Sequence, residues 1–187
     1  TPLVLLRLAW RGRKQPGYLQ HVGERFGRYR EAPQGPVIWL HAVSVGETRA
    51  AEPLVKALQA AHPGHRILLT HMTPTGRETG EQLFGDGVLR CYLPYDLPFA
   101  VAGFLRHFRP GLGALLETEL WPNLIHGCRA RGVPLVLVNA RLSERSARGY
   151  ARVGGLARDA LQALAGIGAQ SEADAARLRA LGASAVT

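Results

Sequence analysis

From Pro36 onward the chain alternates short apolar runs with stretches of helical periodicity, and this alternation constrains the fold more than any other feature. Residues 37–42 (VIWLHA), 66–71 (RILLTH), 88–93 (VLRCYL), 112–116 (LGALL), 134–139 (PLVLVN) and 166–170 read as strands. Between them, 47–61 place Ala50, Ala51, Leu54, Leu58 and Ala61 at helical spacing. Helices are also expected over 75–84, over 97–108 before Pro110, and over 121–131 before Gly132. One or two more follow Ser143, separated at Gly154-Gly155. A last helix is capped by Ser171 with Asp174 three residues on, and Gly182 ends it. Short apolar strands separated by helices imply a parallel sheet covered on both faces. With right-handed crossovers the expected fold is α/β, a Rossmann-like doubly wound parallel sheet.

Other classes are excluded. No apolar run approaches the ~18–20 residues of a membrane span. Two cysteines, Cys91 and Cys128, cannot make a disulfide-dense scaffold or a cysteine zinc finger. Neither a GxGxxG turn, a Walker loop nor a GxSxG elbow occurs, so NAD binding and P-loop chemistry have no support.

The formal charge of +9 is unevenly spread. Residues 1–31 carry seven basic and two acidic side chains, and 129–158 carry seven and one. The remainder holds nine basic against eleven acidic. Nearly all the cations are arginine, the fork-shaped partner of phosphate and carboxylate. Nucleic acid, anionic lipid and phosphorylated metabolites are the open choices. The first ten residues, TPLVLLRLAW, are followed by Arg11, Arg13 and Lys14. An apolar patch ahead of basic residues suits an interfacial anchor, and equally a helix packed on its own domain. We treat 1–31 as a membrane-proximal helical lead-in and 36–187 as the α/β domain.

Ligands of open α/β sheets bind beyond the carboxyl ends of the strands. Strand one ends in Ser44-Val-Gly46-Glu47, strand two in Thr73-Pro-Thr75-Gly76, strand four in Glu117-Thr-Glu119 and strand five in Asn139-Ala-Arg141-Leu-Ser143. Glu47 at a helix mouth suits a base for a substrate hydroxyl, or simply a first-turn acid favoured by the helix dipole. Glu117 and Glu119 share one side of an extended segment. They hold a substrate, or an arginine such as Arg129, Arg141 or Arg145. Thr73 and Thr75 form a phosphate-binding turn or cap a helix. Arg141 binds an anion or sits in solvent. His41 and His71 lack metal-ligand spacing and read as hydrogen-bonded structural residues.

HAVSVGE at 41–47, LTHMTPTG at 69–76, LPYD at 93–96, ETELWPN at 117–123 and NARLSERS at 139–146 together resemble the amino-terminal domain of bacterial 3-deoxy-D-manno-octulosonic acid (Kdo) transferases. Residues 5–27 resemble that family's membrane-proximal lead-in, and 170–183 the end of its first domain. The resemblance implies a GT-B glycosyltransferase whose carboxyl-terminal CMP-sugar domain is absent from this chain. It implies transfer of Kdo from CMP-Kdo to a hydroxyl of the lipid A precursor, with inversion, without metal or cofactor, at the cytoplasmic face of the inner membrane. Glu47 then corresponds to the general base and Glu117 to a second functional acid. Ser44, Gly46, Thr73, Thr75, Gly76, Asn139, Arg141 and Ser143 are expected to line the acceptor side, from their strand-end positions. Arg11, Arg13 and Lys14 are expected to meet the anionic membrane. The competing expectations are a GT-B enzyme with another nucleotide-sugar donor, and a basic nucleic-acid-binding domain. The second lacks an RNP, helix-turn-helix or zinc pattern, so no nucleic-acid partner is expected.

Overall fold

Six strands pair in one parallel sheet: β1 (Val37–His41), β2 (Arg66–His71), β3 (Leu89–Tyr92), β4 (Pro110–Leu116), β5 (Leu135–Ala140) and β6 (Gly166–Ala169). The computed structural model describes residues 8, 10, 12, 13, 15–30 and 32–187. The spatial order is β3-β2-β1-β4-β5-β6. The chain therefore winds outward from β1 to one edge, returns to the centre at β4, and winds outward to the other edge. Right-handed crossovers require the helices of the two halves to lie on opposite faces.

The helices are α1 (Val45–Ala50), α2 (Glu52–Ala61), α3 (Pro74–Phe84), α4 (Pro98–Phe108), α5 (Pro122–Ala130), α6 (Glu144–Arg152), α7 (Gly154–Ala163) and α8 (Glu172–Ala180). Side chains alternate across the strands. Val37 and Trp39 face a core closed by Phe104, Ile125, Leu161 and Leu178. Ile38 and Leu40 face a second core with Val55 and Ala51. Trp39 is fully buried, and its indole N–H donates to Thr70 Oγ1 at 2.8 Å, so the polar atom keeps a partner.

The strands and helices fall where the periodicity places them, within one or two residues, with one exception. The helix expected over 47–61 is two, parted at Ala51. Pro53 is the reason: it has no N–H for the Arg49 carbonyl, and its ring would clash there. At the end of the described chain, Val186 pairs in parallel with Ile167 on the outer side of β6.

Residues 15–30 lie within the segment read as a lead-in, and they pack on the sheet. They form two 3-10 turns, Pro16–Leu19 and Glu24–Phe26. Arg25, one of the seven basic residues of the 1–31 stretch, points inward and is 1% exposed. Its guanidinium sits 3.9 Å from the Tyr92 ring centre, with Tyr18 and Tyr95 at 5.7 and 5.9 Å. It donates to the Met72 carbonyl at 3.3 and 3.2 Å. Three ring faces and a carbonyl thus replace the water that a buried charge needs. The neighbouring Glu24 accepts from Tyr92 N at 2.7 Å and from Arg77 at 2.8 Å. Arg13 is exposed, whereas Arg11 and Lys14 lie outside the described residues.

Gly27 has φ +75, and a Cβ there would stand 2.3 Å from the Ala100 carbonyl oxygen. Across the same contact, a Cβ on Gly103 would stand 2.5 Å from the Gly27 carbonyl oxygen. Gly27→Ala combines a left-handed backbone with overpacking. It should cost about 3 kcal/mol, read as a lowered urea midpoint for unfolding. Gly64→Ala, where an added Cβ meets nothing within 4 Å, serves as the control with little effect.

Candidate active site

The order reverses between β1 and β4, and there a crevice opens at the carboxyl ends. Ser44 and Glu47 follow β1, and Glu117 and Glu119 follow β4. The reversal thus brings together two motifs 70 positions apart.

Glu47 is held by its own turn. Ser44 caps α1, its hydroxyl accepting from Glu47 N at 3.4 Å and donating to Glu47 Oε1 at 2.8 Å. Val43 N donates to Oε2 at 2.8 Å. This is a capping box in which the carboxylate reaches one residue further back than usual. Glu47 stands in the first turn of α1, as the helix-dipole reading expects, and is 9% exposed. Burial raises its pKa above the ordinary carboxylate value; the Val43 and Ser44 donors oppose that rise, and the charge of Glu117 adds to it. A carboxylate so placed is fixed in orientation and a stronger base than one in water.

Glu117 adopts φ +58 and Asn139 φ +57, both left-handed, at the adjacent ends of β4 and β5. The first is an uncommon conformation for glutamate and belongs to the places where backbone strain serves a site. Neither Glu117 nor Glu119 forms an ion pair among the described residues, so the arginine partners that sequence left open are not used. Arg129, Arg141 and Arg145 are exposed instead. Burial pushes Glu119 up to about 7, with the charges of Glu47 and Glu117 adding to the rise. The Trp121 indole N–H stands beside this carboxylate and opposes the rise, although no acceptor lies within good hydrogen-bonding geometry of it. Tyr150 of α6 also faces Glu119, and its phenol is raised by burial and by that charge.

The other sequence-marked residues split into supports and surface. Thr73 caps α3, accepting from Gly76 N at 3.1 Å and donating to the Val43 carbonyl at 3.1 Å, which ties the second turn to the first. Gly76 is buried, and a Cβ there would stand 3.0 Å from Thr73 Oγ1 and 3.1 Å from that same carbonyl oxygen. Thr75 and Gly46 are exposed at the crevice rim. Asn139, Arg141 and Ser143 lie one strand further over and are exposed. Ser143 caps α6 by accepting from Ser146 N at 3.2 Å. Thr118 Oγ1 donates to the Arg141 carbonyl at 2.5 Å, joining the loops after β4 and β5.

His41 and His71 are fully buried. His41 Nδ1 lies 2.9 Å from Thr70 Oγ1, and His71 Nδ1 lies 3.0 Å from the Ala42 carbonyl. Desolvation pushes them down to about 3 and about 4, so both are neutral structural groups. Sequence reasoning placed Asp96 at the end of strand three and read Trp121 as a helix-start anchor, which it is, but gave neither a part in the site; Tyr150 it did not mark. Asp96 caps α5 from a distance, accepting from Asn123 N at 3.0 Å and Leu124 N at 2.8 Å. The paired motifs LPYD and WPN were the available signal for that link. Among the described residues, no three His, Cys, Asp or Glu side chains are arranged to hold a metal ion. A cavity of about 930 Å³ near Arg28, Arg66 and Arg90 lies against β3 and shares no residue with this site.

Comparison with known proteins agrees with the motifs. The family described as 3-deoxy-D-manno-octulosonic-acid transferase (kdotransferase) matches residues 20–187. A 3-deoxy-D-manno-octulosonic acid transferase of Haemophilus influenzae is 47% identical over 81% of this chain and 36% of its own. One from Bordetella pertussis is 45% identical over 100% of this chain and 45% of its own. The chain thus spans less than half the length of these relatives. Among solved structures, a UDP-GlcNAc 2-epimerase from Neisseria meningitidis shares the fold, with TM-score 0.53 and 14% identity over 78% of this chain and 43% of its own.

Glu119 links the site to stability. Its value is raised from 4.5 to about 7, so its neutral form favours the fold. That contribution is complete below about pH 4.5 and is lost as pH rises through about 7. Glu119→Gln should therefore be more stable than wild type above pH ~7, by roughly 1–2 kcal/mol after allowing for solvent screening, and equal to it below pH ~4.5. Urea midpoints measured across this range check the sign.

Proposed function

This chain belongs to the 3-deoxy-D-manno-octulosonic acid (Kdo) transferase family, as its amino-terminal domain, and from that premise we propose how the whole enzyme works. The full-length protein transfers Kdo from CMP-Kdo to a hydroxyl of the lipid A precursor. This domain receives the acceptor, and a second Rossmann-like domain holds the CMP donor across the cleft. The single observation that supports the reading most is Glu47, buried at the strand reversal with both oxygens oriented by Val43 N and Ser44 Oγ.

In the proposed step Glu47 takes the proton of the acceptor hydroxyl. The hydroxyl oxygen bonds to the anomeric carbon of Kdo from the face opposite the phosphate. The bond to phosphate breaks, its electron pair leaves with CMP, and the configuration inverts. Glu117, at the facing strand end, accepts hydrogen bonds from substrate hydroxyls. Ser44 acts through Glu47. Thr73 and Gly76 keep the neighbouring turn in place, while Gly46, Thr75, Asn139, Arg141 and Ser143 border the acceptor path. No metal or cofactor is assigned a part.

We also place the enzyme at the cytoplasmic face of the inner membrane. Among the described residues no helix is long and apolar enough to cross a membrane. Exposed Trp10 (56%) and Leu19 (53%) near exposed Arg13 favour interfacial contact. The arginines of α6, Arg145, Arg148 and Arg152, favour the phosphorylated acceptor instead.

Glu47→Gln in the full-length enzyme should lower kcat by roughly 10²–10⁴-fold with the fold intact, measured with CMP-Kdo and lipid A precursor. A near-wild-type rate would remove Glu47 as the base, and activity with UDP-sugars in place of CMP-Kdo would change the donor. Residues 1–187 alone should show no turnover. Neutralising Arg11, Arg13 and Lys14 should weaken binding to anionic vesicles more than neutralising Arg145 and Arg148; the reverse order would exchange the roles of the two basic stretches.

A further inference from the structure

At the amino ends of the strands, opposite the crevice, two adjoining cavities of about 930 and 640 Å³ flank the segment 28–33. Arg28 and Tyr29 line both. Arg30, Arg66 and Arg90 line the larger, and Arg106 and Arg109 the smaller. Three of these arginines have a local reason to be there. Arg90 donates to the Gly85 and Val88 carbonyls. Arg106 and Arg109 stand at the end of α4, where the helix dipole favours cations. Arg28, Arg30 and Arg66 have no such reason: all are exposed, and none forms an ion pair among the described residues. The acid among the described lining residues, Glu24, is already held by Arg77 at 2.8 Å and by Tyr92 N at 2.7 Å. Glu31 lies outside the described residues. Like charges gathered at one edge repel one another, and a bound anion removes that cost.

The frame that carries these side chains is fixed. Arg28 N donates to the Gly23 carbonyl at 2.9 Å. The Tyr29 ring packs on Phe104, His107 and Phe108 with centres 5.9, 5.2 and 4.7 Å apart, and its hydroxyl donates to the Tyr92 carbonyl at 3.3 Å. Arg28 and Arg30 thus leave the chain on either side of an anchored residue, while Arg66 opens β2 beside them. Leu68, Leu89, Cys91 and Phe108 supply an apolar floor to the larger cavity. We propose that this cavity is a binding site for a phosphate-bearing ligand, held by Arg28, Arg30 and Arg66 and distinct from the crevice at the other end of the sheet. A guanidinium presents paired N–H donors that match phosphate oxygens, and arginines set on a fixed backbone lose little freedom when they close on one. The volume falls within the roughly 300–1,000 Å³ of small-ligand pockets, so the site takes a phosphate or diphosphate with a small body attached. The same group arrives either on a soluble molecule or on a lipid headgroup.

The test titrates the full-length enzyme with pyrophosphate by calorimetry at low ionic strength, and sediments it with phosphatidylcholine vesicles with and without phosphatidic acid. Wild type should bind pyrophosphate with a Kd of about 1 mM or tighter. The double variant Arg30→Gln/Arg66→Gln should weaken that binding at least about tenfold, and Arg28→Gln alone by about threefold or more. Arg129→Gln/Arg131→Gln removes the same charge at the end of α5 and should stay within about twofold of wild type. All the replaced side chains are exposed, so the urea midpoint should not move. Pyrophosphate binding with this variant pattern identifies a soluble ligand. Binding confined to phosphatidic acid vesicles, with the same pattern, identifies a lipid headgroup. Binding of neither probe, binding that Arg30→Gln/Arg66→Gln and Arg28→Gln leave unchanged, or equal weakening by both double variants overturns the proposal. Neither probe measurement involves Glu47 or the sugar donor, so a failed transfer assay and a failed titration are told apart.

Discussion

Everything at the functional edge depends on one constraint: parallel strands joined by right-handed crossovers cannot reverse direction of travel without leaving a gap. The gap falls between β1 and β4. Neighbouring turns elsewhere close over one another, as Thr73 does over Val43. At the reversal the two following segments, α1 and the loop before α5, diverge to opposite faces of the sheet. That divergence is what lets acids from two distant motifs approach without either being buried under a helix. The apolar cores on the two faces fix the sheet, and the sheet fixes the gap.

Within that frame, polar burial is handled in two ways. His41, His71, Trp39 and Thr70 form a neutral network inside the sheet, each with at least one partner. Arg25 keeps its charge and is clothed in aromatic faces and a carbonyl. Each solution still leaves a buried nitrogen without a hydrogen bond: His41 Nε2, His71 Nε2 and Arg25 Nε. At the crevice Glu47 is oriented by its own turn, and among the described residues neither Glu117 nor Glu119 forms an ion pair.

Much of this was legible in the sequence. The strands announced themselves as apolar runs of five or six residues, and Thr73, Ser143 and Ser171 announced helix starts, while the Ser44 cap emerged only in the structure. The strand-end rule placed Glu47 and Glu117 at a common edge. What sequence could not show was non-local. The neighbouring of β1 and β4 depends on pairing across some 70 positions. The inward turn of Arg25 depends on three tyrosines from separate segments. Pro53 is the instructive miss: the apolar spacing around it is helical on both sides, and only the missing N–H reveals the break.

The buried guanidinium of Arg25 has a further consequence. Its cage joins Tyr18, from before the first strand, to Tyr92 at the end of the third and Tyr95 just past it, and its donors end on Met72 after the second. The segment before β1 and the ends of β2 and β3 are thereby riveted at one point. Any recombination of this domain with a relative's should move that rivet as a unit. A crossover placed at the apparent start of the α/β repeat, near residue 36, would pair one parent's arginine with another parent's rings.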